Sequence, residues 1–265
     1  MSFGLVKRAS DEQGDRLLVR EAQWLRELET VSELEGRVPR LIEEGTGPDG
    51  RRFLVMTTVP LACSETRGFT VDHARFLAKL GKARFRAIDF ELSSTCRWLV
   101  RSLAELERFA APKAVALLGS AYHDCETALL YWTGPYVLAQ GDFAPWHIRY
   151  LDCELFVTDW GNARAEASPL DDVLHYLMIQ RVLGRKPLSV AVLQAAMQRA
   201  QAFAVQAYPE WPWRPKVIGA LTLVYLLGTL LHRTLASRRI DFGDAVVGAY
   251  WKLLEKRSAW MPRQD

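Results

Sequence analysis

Apolar and polar positions alternate in short blocks over the first sixty residues. Phe3–Ala9 is a brief apolar stretch that predicts a strand. The segment 17–34 has apolar residues at the spacing of one helix face, namely Leu18, Ala22, Leu25 and Leu28. Val38–Ile42 and Arg52–Val59 predict two strands, and the Pro48-Asp49-Gly50 turn between them is typical of a hairpin, because proline presets φ and glycine accepts positive φ. This region is therefore predicted to be a strand, a helix and a hairpin.

Helical periodicity dominates from Thr70 onward. Helix N-caps are expected at Thr70, at Ser94 or Thr95, and at Ser189, and the last helix is expected from about Asp244 to Lys256. The longest apolar run, Val217–Leu231, is shorter than the roughly 18 residues that a membrane span needs, and it carries threonine and tyrosine. It predicts a buried core helix, and we expect no membrane partner.

Three short strands are predicted inside the helical part, at 136–139, 148–150 and 154–158. The first and last end in aspartates, Asp142 and Asp159, and the hairpin between them can bring these strand ends together. Two converging carboxylates suit proton transfer to or from a hydroxyl and the binding of Mg²⁺. Alternatively, each aspartate only satisfies the backbone of its own loop.

Composition and charge narrow the possible classes. The 265 residues are 49% hydrophobic and 25% charged, which is typical of a soluble globular protein. A net charge of +3 is too small to indicate nucleic acid or an anionic membrane as a partner. The four cysteines are far apart, and the only apolar stretch near the N-terminus, Phe3–Ala9, is too short and too basic for a signal peptide, so we expect reduced thiols and a cytoplasmic location.

The residues around the two aspartates resemble a known family. Gln140–His147 reads Q-G-D-F-A-P-W-H and is followed by a strand ending in Thr158-Asp159-Trp160. This is similar to the H-G-D-x-x-x-x-N and I-D-W motifs of the aminoglycoside phosphotransferase and choline kinase family, which are protein-kinase-like kinases of small molecules. Pro169–Leu174 also resembles the family's P-x-x-D-L segment.

The resemblance implies an α+β, protein-kinase-like two-lobed fold. A reduced N-terminal β lobe, residues 1–60, would bind the nucleotide. A mainly helical C-terminal lobe, residues 61–265, would hold the catalytic loop and the acceptor site.

The resemblance also implies roles for individual residues. Asp142 would orient, and help to deprotonate, the acceptor hydroxyl. Asp159 would bind the Mg²⁺ that bridges the β- and γ-phosphates. Lys7 would contact the α- and β-phosphates and pair with Glu21, although these two residues could instead form a surface pair of little energetic value.

Further roles concern the nucleotide base and the loop. The backbone of the segment Met56-Thr57-Thr58-Val59 would form the hinge that reads adenine. Asp172, at the start of a helix, would brace the catalytic loop.

Three features depart from the family pattern. Gln140 stands where the family has histidine, and its amide can also donate and accept hydrogen bonds. His147 replaces the metal-binding asparagine, and imidazole suits Mn²⁺ or Zn²⁺ better than Mg²⁺, so a one-metal site, an altered metal preference or lost activity could follow. The family has a two-stranded nucleotide-binding hairpin before the strand that carries the lysine, and here the lysine is already residue 7, which leaves no room for it. We therefore expect that the chain is truncated, that its start is misassigned, or that the hairpin covering ATP is missing.

Two functions remain open at this stage. The first is an ATP-dependent phosphotransferase that uses ATP and Mg²⁺, or Mn²⁺, to phosphorylate a hydroxyl of a small molecule. The second is a degenerate kinase-like protein that binds a ligand or a partner without chemistry. The triplet Asp241-Phe242-Gly243 spells a kinase metal motif, but no strand leads into it, so we expect Asp241 only to shape a turn.

Overall fold

Strands are concentrated early in the chain, and long helices make up most of the rest. A computed structural model of the protein describes residues 3–59, 68–151 and 154–262. Its strands are β1 Phe3–Arg8, β2 Leu41–Thr46, β3 Arg52–Thr58, β4 Phe85–Asp89, β5 Thr133–Ala139, β6 Ile148–Leu151, β7 Glu154–Val157 and β8 Arg164–Ala167. Its helices are α1 Glu12–Leu28, α2 Val71–Ala83, α3 Ser94–Leu106, α4 Pro112–Leu129, α5 Asp171–Leu183, α6 Val190–Ala207, α7 Pro215–Ser237 and α8 Ala245–Glu255.

The predicted strand, helix and hairpin at the N-terminus are confirmed. The three strands form an antiparallel sheet in the order β1-β3-β2. Helix α1 packs on this sheet through its predicted apolar face, Leu18, Ala22, Leu25 and Leu28, all of which are buried. The helix begins five residues before the expected start at Leu17, because the Asp11 carboxylate caps it by accepting a hydrogen bond from the Gly14 N–H at 2.7 Å.

The β2–β3 turn has the geometry that its composition predicts. The Gly47 N–H donates to the Arg51 carbonyl at 2.8 Å, and the Gly50 N–H donates to the Gly47 carbonyl at 2.9 Å. Gly50 has φ +77°, a left-handed conformation that glycine adopts without steric cost. Strand β2 itself is shifted three residues later than expected and contains a bulge between Leu41 and Glu43.

Capping signals located several helices correctly. The Thr70 side chain and the His73 ring form a capping box at the start of α2. Ser189 caps α6 by accepting from the Val192 N–H at 3.3 Å, and Asp244 caps α8. Helix α3 is capped by Ser93, one residue before the expected position. Helix α4, which we did not predict, begins at a proline in its first turn.

Helix α7 contains the longest apolar run, and it is a core helix as predicted. It is the one helix in the described ranges that is long and apolar enough to cross a membrane, and 78% of its most apolar window is buried inside the protein. It packs against α3, α4 and α8. The burial of its side chains accounts for its composition.

The chain divides into two compact units. One comprises Met1–Arg84 and Leu138–Ala165, and the other comprises Phe85–Val137 and Glu166–Asp265. The first holds the β1-β3-β2 sheet, α1, α2 and the antiparallel β6–β7 hairpin, which confirms that predicted strand pair. Another three-stranded sheet has the strand order β4-β5-β8. The lobe boundary expected at residues 60 and 61 lies outside the described residues, as do Cys63 and Cys153.

Candidate active site

Lys7 and Glu21 form a largely desolvated ion pair between β1 and α1. The Lys7 ammonium lies 2.8 Å and 2.9 Å from the two carboxylate oxygens of Glu21. Only 2% of the Glu21 side chain and 24% of the Lys7 side chain are exposed, so this is not a surface pair. Glu21 Oε1 also accepts a hydrogen bond from the Trp160 N–H at 3.2 Å, which ties α1 to the loop after β7.

Asp159 follows β7 and joins the same cluster. Its Oδ1 lies 3.2 Å from the Lys7 ammonium. Asp159 has φ +64° and ψ 69°, a left-handed conformation that is uncommon outside glycine and costs of order 1–3 kcal/mol. The buried Trp160 follows directly, and its indole N–H donates to the Val157 carbonyl at 3.0 Å. The anchored tryptophan therefore holds the aspartate in this conformation.

The Asp142 loop approaches the Asp159 loop closely enough to require a glycine. Gly141 has φ +85°, and a Cβ at this position would lie 2.1 Å from the Asn162 carbonyl oxygen. A residue with a side chain would therefore be strained in conformation and would collide with backbone. The close approach places Asp142 beside the residues that follow β7.

Gln140 fastens these two loops to each other. Its amide nitrogen donates to the Thr158 carbonyl at 3.0 Å and to the Asp159 carbonyl at 2.5 Å, while its amide oxygen accepts from the Asp142 N–H at 2.8 Å. The side chain is completely buried. An amide has donors and an acceptor at once, so glutamine serves both loops at the position where the resemblance implies histidine.

His147 lies between the two aspartates. Its Nε2 is 3.2 Å from Asp142 Oδ2, and its Nδ1 is 3.5 Å from Asp159 Oδ2. The His147 carbonyl accepts hydrogen bonds from the Thr158 N–H at 2.9 Å and the Thr158 hydroxyl at 3.1 Å. The predicted convergence of Asp142 and Asp159 is thus confirmed, with an imidazole bridging them.

His73 is buried and packs against the Asp142 loop. The sequence analysis did not assign this histidine to the site. The His73 ring packs edge-on against Phe143 at a centroid distance of 6.0 Å, and Phe76 stacks on the same phenyl ring. Burial lowers the pKa of His73 from 6.5 to about 4, and the Asp72 charge opposes this shift. The neutral ring accepts hydrogen bonds at Nδ1 from the Thr70 N–H at 3.1 Å and pairs with its hydroxyl at 2.8 Å.

The remaining candidate residues lie elsewhere. Thr57 and Thr58 end β3, Val59 follows them, and their role in reading adenine stays a prediction. Asp172 is buried in the first turn of α5, in the second unit. Within residues 3–59, 68–151 and 154–262, no group of three or more His, Cys, Asp or Glu side chains is arranged to hold a metal ion. Any metal at this site would therefore need further ligands from a bound molecule or water.

The Asp241-Phe242-Gly243 triplet forms a turn, as predicted. Asp241 Oδ1 accepts from the Gly243 N–H at 2.9 Å, and the Asp241 carbonyl accepts from the Asp244 N–H at 3.0 Å. The turn leads directly into the cap of α8. Local hydrogen bonding accounts for this aspartate.

Comparison with solved structures identifies the fold. One similar structure is a thermostable mutant of aminoglycoside phosphotransferase APH(4)-Ia, with a TM-score of 0.63 and 12% identity. The match covers 96% of this chain and 87% of that protein's chain. Wild-type aminoglycoside 2'-phosphotransferase-IIIa, solved as a GDP complex, matches 97% over 86%, with a TM-score of 0.58 and 17% identity. A putative fructosamine-3-kinase from Haemophilus somnus 129PT matches 97% over 83%, with a TM-score of 0.52 and 13% identity.

The chain therefore has the kinase-like fold of these small-molecule phosphotransferases. This confirms the α+β, protein-kinase-like class and the resemblance carried by the segments around Asp142 and Asp159. No protein-family model matches the sequence, and no curated protein matches it. At these identities the likeness is one of fold, and the activity has to be argued from the site itself.

Proposed function

We propose that the protein transfers the γ-phosphoryl group of ATP to a hydroxyl of a small molecule. One observation carries the proposal: side chains from distant positions, Lys7, Glu21 and Asp159, form one charge network beside Asp142. A purely structural ion pair would need only two of these groups. Catalysis of phosphoryl transfer depends almost entirely on positioning and electrostatic stabilisation, which such a network supplies.

Each residue has a task in this reaction. Lys7 would bind the α- and β-phosphates, held in place by the buried Glu21. Asp142 would accept a hydrogen bond from the acceptor hydroxyl and take its proton as the hydroxyl oxygen bonds to the γ-phosphorus, while the bond from that phosphorus to the bridging oxygen of the β-phosphate breaks and ADP leaves. Asp159, with His147 beside it, would hold a divalent ion, which neutralises charge on the β- and γ-phosphates when bound.

Solved structures of the same fold support the choice of substrates. One APH(4)-Ia structure is a ternary complex with ADP and hygromycin B, and a structure of APH(2")-IIa contains gentamicin. We accordingly propose a nucleoside triphosphate donor, a small-molecule acceptor and a cytoplasmic location, with neither nucleic acid nor membrane as a partner. Thr57, Thr58 and Val59 would contact the base.

The test measures phosphate transfer from ATP to a panel of amino sugars, amino alcohols and sugars. We expect turnover in the wild type and a loss of at least 100-fold in Asp142→Asn and Asp159→Asn, since each loses a charged group at the reacting atoms. Asp241→Asn is the matched control: it changes an aspartate in a kinase-like triplet outside the site, and it keeps an oxygen for the Gly243 N–H. Turnover that survives both site variants would refute the proposal.

A second candidate is a kinase-fold protein that binds a ligand without phosphoryl transfer. The observation that favours it is the contact of the His147 imidazole with both carboxylates, which occupies the groups that catalysis needs. Calorimetry with Mg-ATP and Mn-ATP separates the two functions. Metal-dependent nucleotide binding accompanied by turnover supports the enzyme, and binding without turnover across the panel supports the second candidate.

A further inference from the structure

A cavity outside the candidate active site opens beside helix α2. It has about 310 Å³ of space open to solvent, and α2 lines it with Asp72, Arg75, Phe76 and Lys79. These positions follow the i, i+3, i+4, i+7 spacing of a single helix face, which is mostly apolar where a helix packs on a core. Three of the four residues are charged here, so this face of α2 suits contact with water or a polar ligand.

The basic side chains in the lining outnumber the acidic ones. Arg75 pairs with Asp72 at 3.1 Å, and Arg37, which precedes β2, pairs with Glu154 at the start of β7. Lys79 is the remaining charged residue of the lining, and neither carboxylate is paired with it. The described lining therefore carries one positive charge in excess at neutral pH.

The Lys79 ammonium has no partner that holds it in place. No hydrogen bond or ion pair joins its side chain to another residue in the part of the chain that the structure describes. Its charge has only a minor effect on the exposed Glu33, whose pKa is lowered chiefly by hydrogen bonds from its own backbone and from Ser32 and least by Lys79. Arg75 lies one turn earlier on the same helix face, and like charges at i, i+4 repel each other. An anion bound between these two side chains would relieve the repulsion.

The lining matches a compact oxyanion better than a molecule with a large apolar part. Phe76 and Leu155 are its apolar members, but each is only 3% exposed and offers little surface to a ligand. A guanidinium has five N–H donors, and one carboxylate accepts only some of them, so Arg37 and Arg75 retain donors for an anion. Together with Lys79 they suit a phosphate group, which accepts several charge-assisted hydrogen bonds.

The cavity is connected to both loops of the candidate active site. Phe76 stacks on Phe143, the residue after Asp142, at a centroid distance of 6.0 Å. The Arg37 carbonyl accepts a hydrogen bond from the Val157 N–H at 2.8 Å, at the end of β7. An anion in the cavity would therefore bind beside the residues that support these loops.

We infer that the cavity lined by Arg37, Arg75 and Lys79 binds a phosphate group, at an anion site separate from the one proposed for the nucleotide. The ligand is inorganic phosphate or the phosphoryl group of a small metabolite, since both present the same oxygens. Its place beside the supports of the two loops fits an effector, and the inference does not depend on the proposed function.

Isothermal titration calorimetry of the full-length protein without nucleotide tests the inference, with inorganic phosphate and glycerol phosphate as probes and chloride at equal ionic strength as the reference. Lys79→Gln should weaken phosphate binding by about 10-fold or more, because it removes the uncompensated charge. Lys79→Arg keeps the charge and should stay within about 3-fold of the wild type. Lys82→Gln, an exposed change on the same helix outside the described lining, is the matched control and should bind as the wild type does.

Three results would overturn the inference. They are no phosphate binding by the wild type up to about 10 mM, equal binding by Lys79→Gln and the wild type, and equal losses in Lys79→Gln and Lys82→Gln. Lys79→Gln should keep the wild-type midpoint of thermal unfolding in chloride, so weaker binding is not a loss of fold.

The two probes distinguish the sources of the ligand. Glycerol phosphate that binds in the same Lys79-dependent way identifies a phosphorylated metabolite as the ligand class, and binding of inorganic phosphate alone identifies the free ion. No turnover is measured, so failure here leaves phosphoryl transfer to its own test, and a protein without turnover can still bind phosphate at this cavity.

Discussion

Replacing His73 by glutamine should remove part of the protein's sensitivity to mild acid. The wild-type ring is buried, and its pKa is lowered to about 4 in the folded protein, against 6.5 for the free side chain. Between these values the unfolded chain takes up a proton that the folded protein does not. The free energy of unfolding should therefore decrease as pH falls through 6.5, and His73 should contribute no further loss below about pH 4.

The magnitude follows from the two pKa values. Between pH 7 and pH 5 His73 alone should lower the free energy of unfolding by about 2 kcal/mol, and the full window corresponds to about 3 kcal/mol. Glutamine does not titrate, but it can accept the Thr70 N–H as the third residue of a capping box. His73→Gln should lose ring packing against Phe143 at every pH, so the readout is the slope with pH and not the absolute stability.

Urea unfolding at a series of pH values between 4 and 7 measures this slope. His73→Gln should show a dependence on pH that is weaker than that of the wild type by about 2 kcal/mol between pH 7 and pH 5. His123→Gln removes an exposed imidazole and serves as the control, with the wild-type slope expected. Equal slopes for His73→Gln and the wild type would show that the buried ring does not stay neutral, and the reasoning would be wrong.

Three further substitutions test the site and the fold by urea unfolding. Gln140→Ala removes three hydrogen bonds, two of them to the loop after β7 and one within the Asp142 loop, and should cost about 1–3 kcal/mol while lowering phosphate transfer more than stability alone explains. Gly141→Ala should cost about 3 kcal/mol or more, because its Cβ would meet the Asn162 carbonyl at positive φ; a loss below 1 kcal/mol would contradict the close approach. Asp244→Ala should cost about 1–2 kcal/mol through the lost cap of α8, with activity retained in the folded protein.

Local signals account for the parts of the fold that were predicted. Thr70, Ser189 and Asp244 each bond backbone groups two or three residues away, so their effect is visible in a short stretch of sequence. Helix α4 carries such a signal too, because Pro112 precedes apolar residues at helical spacing. Its buried face is Ala114, Leu118, Ala121, Cys125 and Leu129.

Contacts between distant residues account for what was not predicted. The packing of His73 on Phe143 joins positions seventy residues apart, and nothing near either residue indicates it. The same holds for the bridging position of His147, since a ring at this site could equally have pointed away from Asp159. The motifs located Asp142 and Asp159, but the distances between side chains came only from the folded chain.

The frame that holds the two carboxylates together consists largely of backbone atoms. Gln140 binds the carbonyls of residues 158 and 159, and the N–H of residue 158 binds the carbonyl of residue 147. A main-chain carbonyl is present whatever amino acid occupies the position, and a main-chain N–H is present in every residue except proline. The side chain at residue 147 could therefore differ without breaking the hydrogen bonds of this frame, because residue 147 contributes only its carbonyl to them. The three structures compared above have this fold at only 12–17% identity to the chain.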